Sequence, residues 1–302
     1  IVIASLLGLY VFLSIFLGIA IIQFSIRPLY QSLEHHRKNN IKKGYNIDAE
    51  EMERKEFIIE LKDKYQIHAE VSLNNDLKKF VIVSHGHCGN RNAAIRYARV
   101  FYKLGYSVVM FDQRGHGENK HTKCLMGLQE HKDLLEIISY VRKTYGNDIE
   151  LGLFGVSMGG ASTLMALKEE QNLKFAVIDC AFADVETVFN DQCDHRFVIR
   201  HHLANPIGRA WLKVIHGLSF KDICPKNYVV NSHVPCLFIH GSKDDLIDPR
   251  NQKMIINNLP KDCYYENYIF EGAKHDNSVK KNYSLYKETV KNFINNVNNL
   301  NK

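Results

Sequence analysis

Ser157 stands between two glycines in the run Gly155-Val156-Ser157-Met158-Gly159. An apolar stretch, Ile149 to Phe154, precedes it, and a helix-compatible stretch, Met158 to Glu169, follows. A serine at a tight strand-to-helix turn projects its hydroxyl clear of the backbone. Glycines two before and two after remove side chains that would collide with the turn. The helix behind the serine presents N–H groups with no partner of their own. A hydroxyl so placed can attack an acyl carbon, provided a histidine takes its proton and a carboxylate orients that histidine. Two later runs supply those types in chain order. Pro235-Cys236-Leu237-Phe238-Ile239-His240-Gly241-Ser242-Lys243-Asp244 reads as a buried strand ending in an acid-bearing turn. Glu271-Gly272-Ala273-Lys274-His275-Asp276-Asn277-Ser278 places a histidine in a loop after the last strand.

These groups need a scaffold that brings them to one rim. Short apolar runs at Phe80-Val81-Ile82-Val83, Ser107 to Phe111, Ile149 to Phe154, Phe175 to Ile178 and Cys236 to Ile239 have the form of buried parallel strands. Tyr264 to Phe270 reads as a further strand. Phe57-Ile58-Ile59 and Ile67 to Leu73 read as an early hairpin around Asp63-Lys64. Between them, Leu134, Ile137, Ile138 and Val141 recur at helical spacing with Gly146 as a stop, and Tyr286, Val290, Phe293 and Ile294 share a face of the last helix. The Asn-rich end from Asn295 is expected to fray. Strands alternating with helices imply a mostly parallel sheet covered on both faces, with its site at the strand carboxyl ends. Residues 185–233 carry helical signals (Phe197, Val198, Trp211, Leu212, Ile215) without a clear strand, and read as an insertion capping the site.

The chain resembles the α/β-hydrolase fold serine hydrolases. It is most similar to a membrane-anchored bacterial esterase-like branch related to prolyl-oligopeptidase and dienelactone hydrolase domains. The resemblance runs from about residue 55 to 297. It is carried by Ser84-His85-Gly86-His87-Cys88-Gly89-Asn90, Phe111-Asp112-Gln113-Arg114-Gly115-His116-Gly117, Gly155 to Gly159, Asp179-Cys180-Ala181-Phe182, His240 to Asp244 and Gly272 to His275. It implies cleavage of carboxylic esters, thioesters, amides or peptides without a cofactor. It makes Ser157 the nucleophile, Asp244 the orienting acid and His275 the base. Asp245 and Asp179 are the competing acids, and Asp248 occupies a place where many relatives carry proline. It also implies an oxyanion hole from the backbone N–H groups of Met158 and His87, with Cys88 as the fallback donor. Asp112, Arg114 and His116 become a structural turn, and His85 a residue packed under its loop.

The remainder of the sequence narrows the function. Ile1 to Ile26 carry no charge and would span about 39 Å as a helix, against about 30 Å of bilayer hydrocarbon. The reading is a transmembrane helix (1–26), a juxtamembrane linker or short helix (27–54), and the hydrolase domain (55–302); a cleaved secretory signal is the rival for the first segment. With no initiating Met, further residues are expected upstream. The basic cluster Arg27, Arg37, Lys38, Lys42 and Lys43 favours a cytoplasmic domain and could meet anionic headgroups or simply be solvated. Seven scattered cysteines without a C-x-x-C argue against a disulfide scaffold or zinc ribbon. His195, His201 and His202 lack companions at ligand spacing, so no metal is expected. The net charge of +6 is interspersed with acids, which gives nucleic-acid binding little support. The expected substrate is a small acyl ester or a lipid-derived ester, with the N-terminal helix meeting the membrane. A short-peptide peptidase and a catalytically silent binding module are the alternatives. Oligomeric state is not written in the sequence.

Overall fold

The computed structural model describes residues 2–44, 52–196 and 201–300. Two helices come first, α1 (Val2–Ile26) and α2 (Leu33–Lys42). An alternating body follows: β1 (Lys55–Glu60), β2 (Gln66–Ser72), β3 (Lys79–Ser84), α3 (Arg91–Lys103), β4 (Ser107–Phe111), α4 (Glu130–Tyr145), β5 (Glu150–Val156), α5 (Met158–Ala166) and β6 (Phe175–Asp179). Then come α6 (Val185–Asp191), α7 (His201–His216), β7 (Cys236–Gly241), α8 (Arg250–Ile256), β8 (Tyr265–Phe270), α9 (Ser278–Lys281) and α10 (Tyr283–Leu300).

The eight strands form one sheet in the order β1-β2-β4-β3-β5-β6-β7-β8. β1 and β2 form the expected hairpin, and β2 meets β4 antiparallel; every later pairing is parallel. The period-two rule of strands explains the two cores. Phe80 and Ile82 of β3, with Val109 of β4 and Leu153 of β5, face a core closed by Leu134, Ile137, Ile138 and Val141 of α4. Val81 and Val83, with Val108 and Phe154, face the opposite core under Tyr97 and Phe101 of α3 and Tyr286, Val290 and Phe293 of α10. Continuous apolar runs are what a sheet buried on both faces requires.

β3 is flanked by β4 on one side and β5 on the other, so the strand order reverses there. The loop leaving β3 and the helix following β5 therefore border one crevice at the carboxyl edge, the place where such sheets bind ligands. Gly146 ends α4 as expected, at φ 119°.

Three expectations need correction or refinement. The last helix does not fray at Asn295: α10 runs to Leu300 because Val297 is fully buried against the core, and tertiary packing outweighs the weak helix propensity of asparagine. The helix after Ser157 stops at Ala166, short of Glu169. The segment after α1 is not merely a solvated tether. α2 packs on α3, where the buried Asn40 donates to the carbonyl oxygen of Asn92 (2.6 Å) and Asn92 Nδ2 donates to that of Leu33 (3.0 Å).

Between β6 and β7 the described residues form α6, a π-helical turn (Gln192–Arg196), α7 and two short 3-10 turns, with no strand among them. Phe197 and Val198, named above as helical signals, lie outside the described residues.

Candidate active site

The serine turn adopts the expected geometry. Ser157 has φ 56°, a region costly for a residue with a side chain, and α5 starts at the next residue. The flanking glycines are required by close approach. A Cβ at Gly155 would lie 2.2 Å from the Gly159 carbonyl oxygen, and one at Gly159 would lie 2.3 Å from that of Ser84. The turn is pinned by the Ser157 N–H donating to the Asp179 carbonyl (2.8 Å).

Three separated residues meet at this rim. His275 Nε2 lies 3.0 Å from Ser157 Oγ, and His275 Nδ1 lies 2.8 Å from Asp244 Oδ2. The other oxygen of Asp244 accepts the N–H groups of Leu246 (3.0 Å) and Ile247 (2.9 Å). Asp244 is thus held as an ionised acceptor. Burial alone would raise its carboxyl, but hydrogen bonds from His240, His275 and the backbone hold it far below the usual carboxylate range. For His275, burial would depress the imidazole; the hydrogen bond and charge of Asp244, with Asp276 and Asp179 behind it, raise it above its ordinary value. An imidazole poised this way can accept a hydroxyl proton and hold it beside a carboxylate.

The rival acids fall elsewhere. Asp245 is exposed, and Asp248 accepts the N–H of Arg250 at a solvent-facing turn (2.8 Å). Asp179 is fully buried at the end of β6 and accepts the Tyr286 hydroxyl (2.9 Å). Its burial pushes the carboxyl up to about 7. It sits within electrostatic reach of His275 without bonding to it.

Around the proposed oxyanion site, Met158 is the first residue of α5, so its N–H has no partner within the helix. The β3 loop passes directly beside the serine, where a Cβ on Gly86 would lie 3.3 Å from that of Ser157. The His87 side chain lines the adjoining chamber and donates from Nε2 to the carbonyl oxygen of Ser25 (3.0 Å). Burial lowers its pKa to about 4, so it is neutral. Cys88 is half-buried and burial raises its thiol, which does not suit a nucleophile. His85 is fully buried under the loop and accepts the Gln113 N–H (2.9 Å).

The Asp112, Arg114 and His116 turn is bound up elsewhere. Asp112 is buried and paired with Arg91, which also bonds Glu70 (2.8 Å) and Glu118. Arg114 grips Asp133 through two 2.8 Å bonds, and His116 Nδ1 bonds the Arg114 carbonyl (2.9 Å). His201 does have a carboxylate companion, Asp194, at its Nδ1, while His202 is exposed. The His195 side chain lies outside the description. Among the described residues, His87, His116 and Cys124 bring possible ligand atoms within 4.8 Å of one another, as do Cys180, Asp244 and His275. In the second group, Asp244 and His275 are already committed to each other and to Ser157.

Sequence reasoning missed two supports. His240 Nε2 lies 3.1 Å from the same Asp244 oxygen and 2.8 Å from the Ile247 carbonyl oxygen, which makes Nε2 a donor between them. Asp276, at φ 55°, accepts the Tyr97 hydroxyl (2.5 Å) and pairs with Arg96, clamping the histidine loop to α3. The H-G-x-x-D spacing contained the first signal; nothing local contained the second.

The fold and the sequence both have known counterparts. The model of the prolyl oligopeptidase family matches residues 94–300. The Bacillus subtilis protein YqkD is 27% identical over 271 residues, covering 86% of each chain. The Pyrococcus furiosus esterase Pf2001 superposes with a TM-score of 0.67 at 19% identity, over 83% of this chain and 93% of that one. The Butyrivibrio proteoclasticus protein Est1E, solved with ferulic acid, gives 0.62 at 16% identity, over 79% and 97%. With a family match across most of the sheet and an α/β-hydrolase architecture throughout, the chain belongs to the prolyl oligopeptidase family and is a hydrolase of the α/β-hydrolase type.

Proposed function

We propose that the protein is a serine hydrolase that cleaves carboxylic esters or thioesters through Ser157, His275 and Asp244. The observation that carries this reading is the unbroken relay from Ser157 Oγ to His275 (3.0 Å) and on to Asp244 (2.8 Å). Ser157 Oγ attacks the acyl carbon while His275 Nε2 takes its proton. The tetrahedral oxyanion is met by the N–H groups of Met158 and His87. Asp244, kept ionised, stabilises the imidazolium and fixes its tautomer. His275 then protonates the departing alcohol or thiol. Water enters, gives a proton to His275 and releases the acid by the reverse path.

The chemistry of the neighbouring chamber favours esters over peptides. Among the described residues its lining is apolar apart from Ser25, His87, Ser157 and Gln192, with no charged side chain to hold a peptide terminus. The family's name keeps a short-peptide peptidase as the second reading. Parallel assays with p-nitrophenyl esters and aminoacyl amides separate the two. A fluorophosphonate probe should label the wild-type chain and not Ser157→Ala; continued labelling of that variant refutes the nucleophile. Lack of both labelling and turnover on a broad ester panel would favour a silent binding module.

The helix α1 is long and apolar enough to cross a membrane. A single-pass anchor is the proposed role, with a cleaved signal as its rival; Leu17 to Ile26 pack on the hydrolase domain, so the part of α1 open to lipid is Val2 to Phe16, about 22 Å long. Protease protection of the full chain in sealed vesicles would settle anchoring and the side on which the domain lies.

A further inference from the structure

The apolar N-terminal helix is built into the site. Its Leu17, Ala20, Ile21 and Phe24 form one wall of a chamber of about 490 Å³ lined also by Ser157, and by Phe189 and Leu212 from the segment between β6 and β7. The helix is seated by small residues. A Cβ at Gly18 would lie 3.1 Å from that of Ala204, and one at Gly208 would lie 2.9 Å from Ile22 Cδ1, so α1 and α7 cross at close range. The end of α1 is tied as well. Helix-terminal carbonyls lack intrahelical partners; here that of Ser25 is met by His87, and that of Ile26 by the Cys124 N–H (2.8 Å). The same helix then continues from Val2 to Phe16 with most of its apolar side chains exposed, and α7 exposes Val214 and Ile215.

We propose that this chamber is the acyl-chain site of the hydrolase, and that its ligand is a medium- or long-chain fatty acyl ester taken from a lipid surface. The proposal rests on the serine hydrolase reading above and on α1 being retained as an anchor, and adds the substrate class. The polar groups in the wall are already engaged: Ser25 Oγ donates to the Ile21 carbonyl (2.9 Å), Gln192 Nε2 to that of Leu246 (2.9 Å), and His87 to that of Ser25 (3.0 Å). A saturated chain asks for no hydrogen bonds, so it fits such a wall without leaving donors or acceptors bare. The exposed stretch of α1 is a surface that lipid chains would cover, and it is continuous with the chamber wall. A chain passing from that lipid to Ser157 stays against apolar side chains.

The test uses the full chain in phosphatidylcholine vesicles and p-nitrophenyl esters from acetate to decanoate. Each methylene added within the chamber should raise kcat/KM by about two- to fourfold. Ala20→Trp, and the milder Ala20→Phe, fill the chamber and should cut the decanoate-to-acetate ratio by about tenfold or more. Leu13→Trp, on the outward part of α1, should leave the ratio unchanged. A flat series in the wild type, or an equal effect of the two tryptophans, overturns the proposal. A second arm does not need turnover: a diazirine-bearing palmitate is photolysed with the Ser157→Ala chain and its adducts are mapped. Adducts within residues 17–26 and 182–192 support the chamber even if no ester is cleaved, in which case the catalytic reading alone fails. Ester turnover with a flat series and adducts elsewhere removes the chamber and leaves catalysis standing.

Discussion

Two clusters of charged and imidazole side chains border the same sheet edge, and they are built on opposite principles. Around Arg91, the cation is fully occupied: Asp112, Glu70, Glu118 and Glu56 surround one guanidinium that is itself 1% exposed. Around Asp244, the series runs in one direction, from carboxylate to imidazole to hydroxyl, and ends at Ser157 beside an open chamber. The first cluster is closed and rigid. The second leaves its last member free to react. Residue type does not separate them, since Asp112, Arg114 and His116 look as reactive in a sequence as Asp244 and His275. What separates them is whether the series ends at an open chamber, as it does at Ser157.

The largest test of that contrast is removal of the terminal hydroxyl. Ser157→Ala or His275→Ala should reduce kcat on an ester substrate by about a million-fold, because the relay acts as a unit. Asp244→Asn keeps the shape and loses the charge; kcat should fall by about ten-thousand-fold through the wrong histidine tautomer. The closed cluster should respond in stability instead. Arg91→Met strands the buried Asp112 and leaves Glu70 with Arg54 alone, and denaturant unfolding should show a loss of about 3–5 kcal/mol, with kcat per folded molecule little changed. If Arg91→Met abolished turnover in a folded chain, the contrast would be wrong.

The smallest effect concerns pH. His275 must be neutral to accept a proton, and its pKa is raised, by Asp244 foremost, above the ordinary value of about 6.5. The sign follows: kcat/KM should climb with pH, with a midpoint above that value, and then level off. A midpoint below it would mean that burial, not Asp244, governs the ring.

Much of this was legible because the determinants were local. Phe80-Val81-Ile82-Val83 announced a strand buried on both faces, and the glycines at 155 and 159 are dictated by contacts of 2.2 and 2.3 Å that no side chain survives. The spacing from His240 to Asp244 pointed to Asp244, which the structure sets against His275. Long-range geometry was not legible. Asp276 meets Arg96 and Tyr97 across 179 or more residues of separation, which no local pattern records. In α1, apolarity on every face concealed which face is docked; the spacing of Ser14, Gly18, Ile22 and Ile26, all buried, was the available sign. The Asn-rich terminus misled because propensity was read without Val297 and its core contacts.

The backbone at residue 157 has one more consequence. A left-handed φ of 56° suits glycine and taxes any residue with a β-carbon. Ser157→Gly should therefore survive heating better than its parent, read as a higher Tm, while giving up the reaction. The difference in thermal endurance between the two would measure how much folding stability is forgone to hold one oxygen in place.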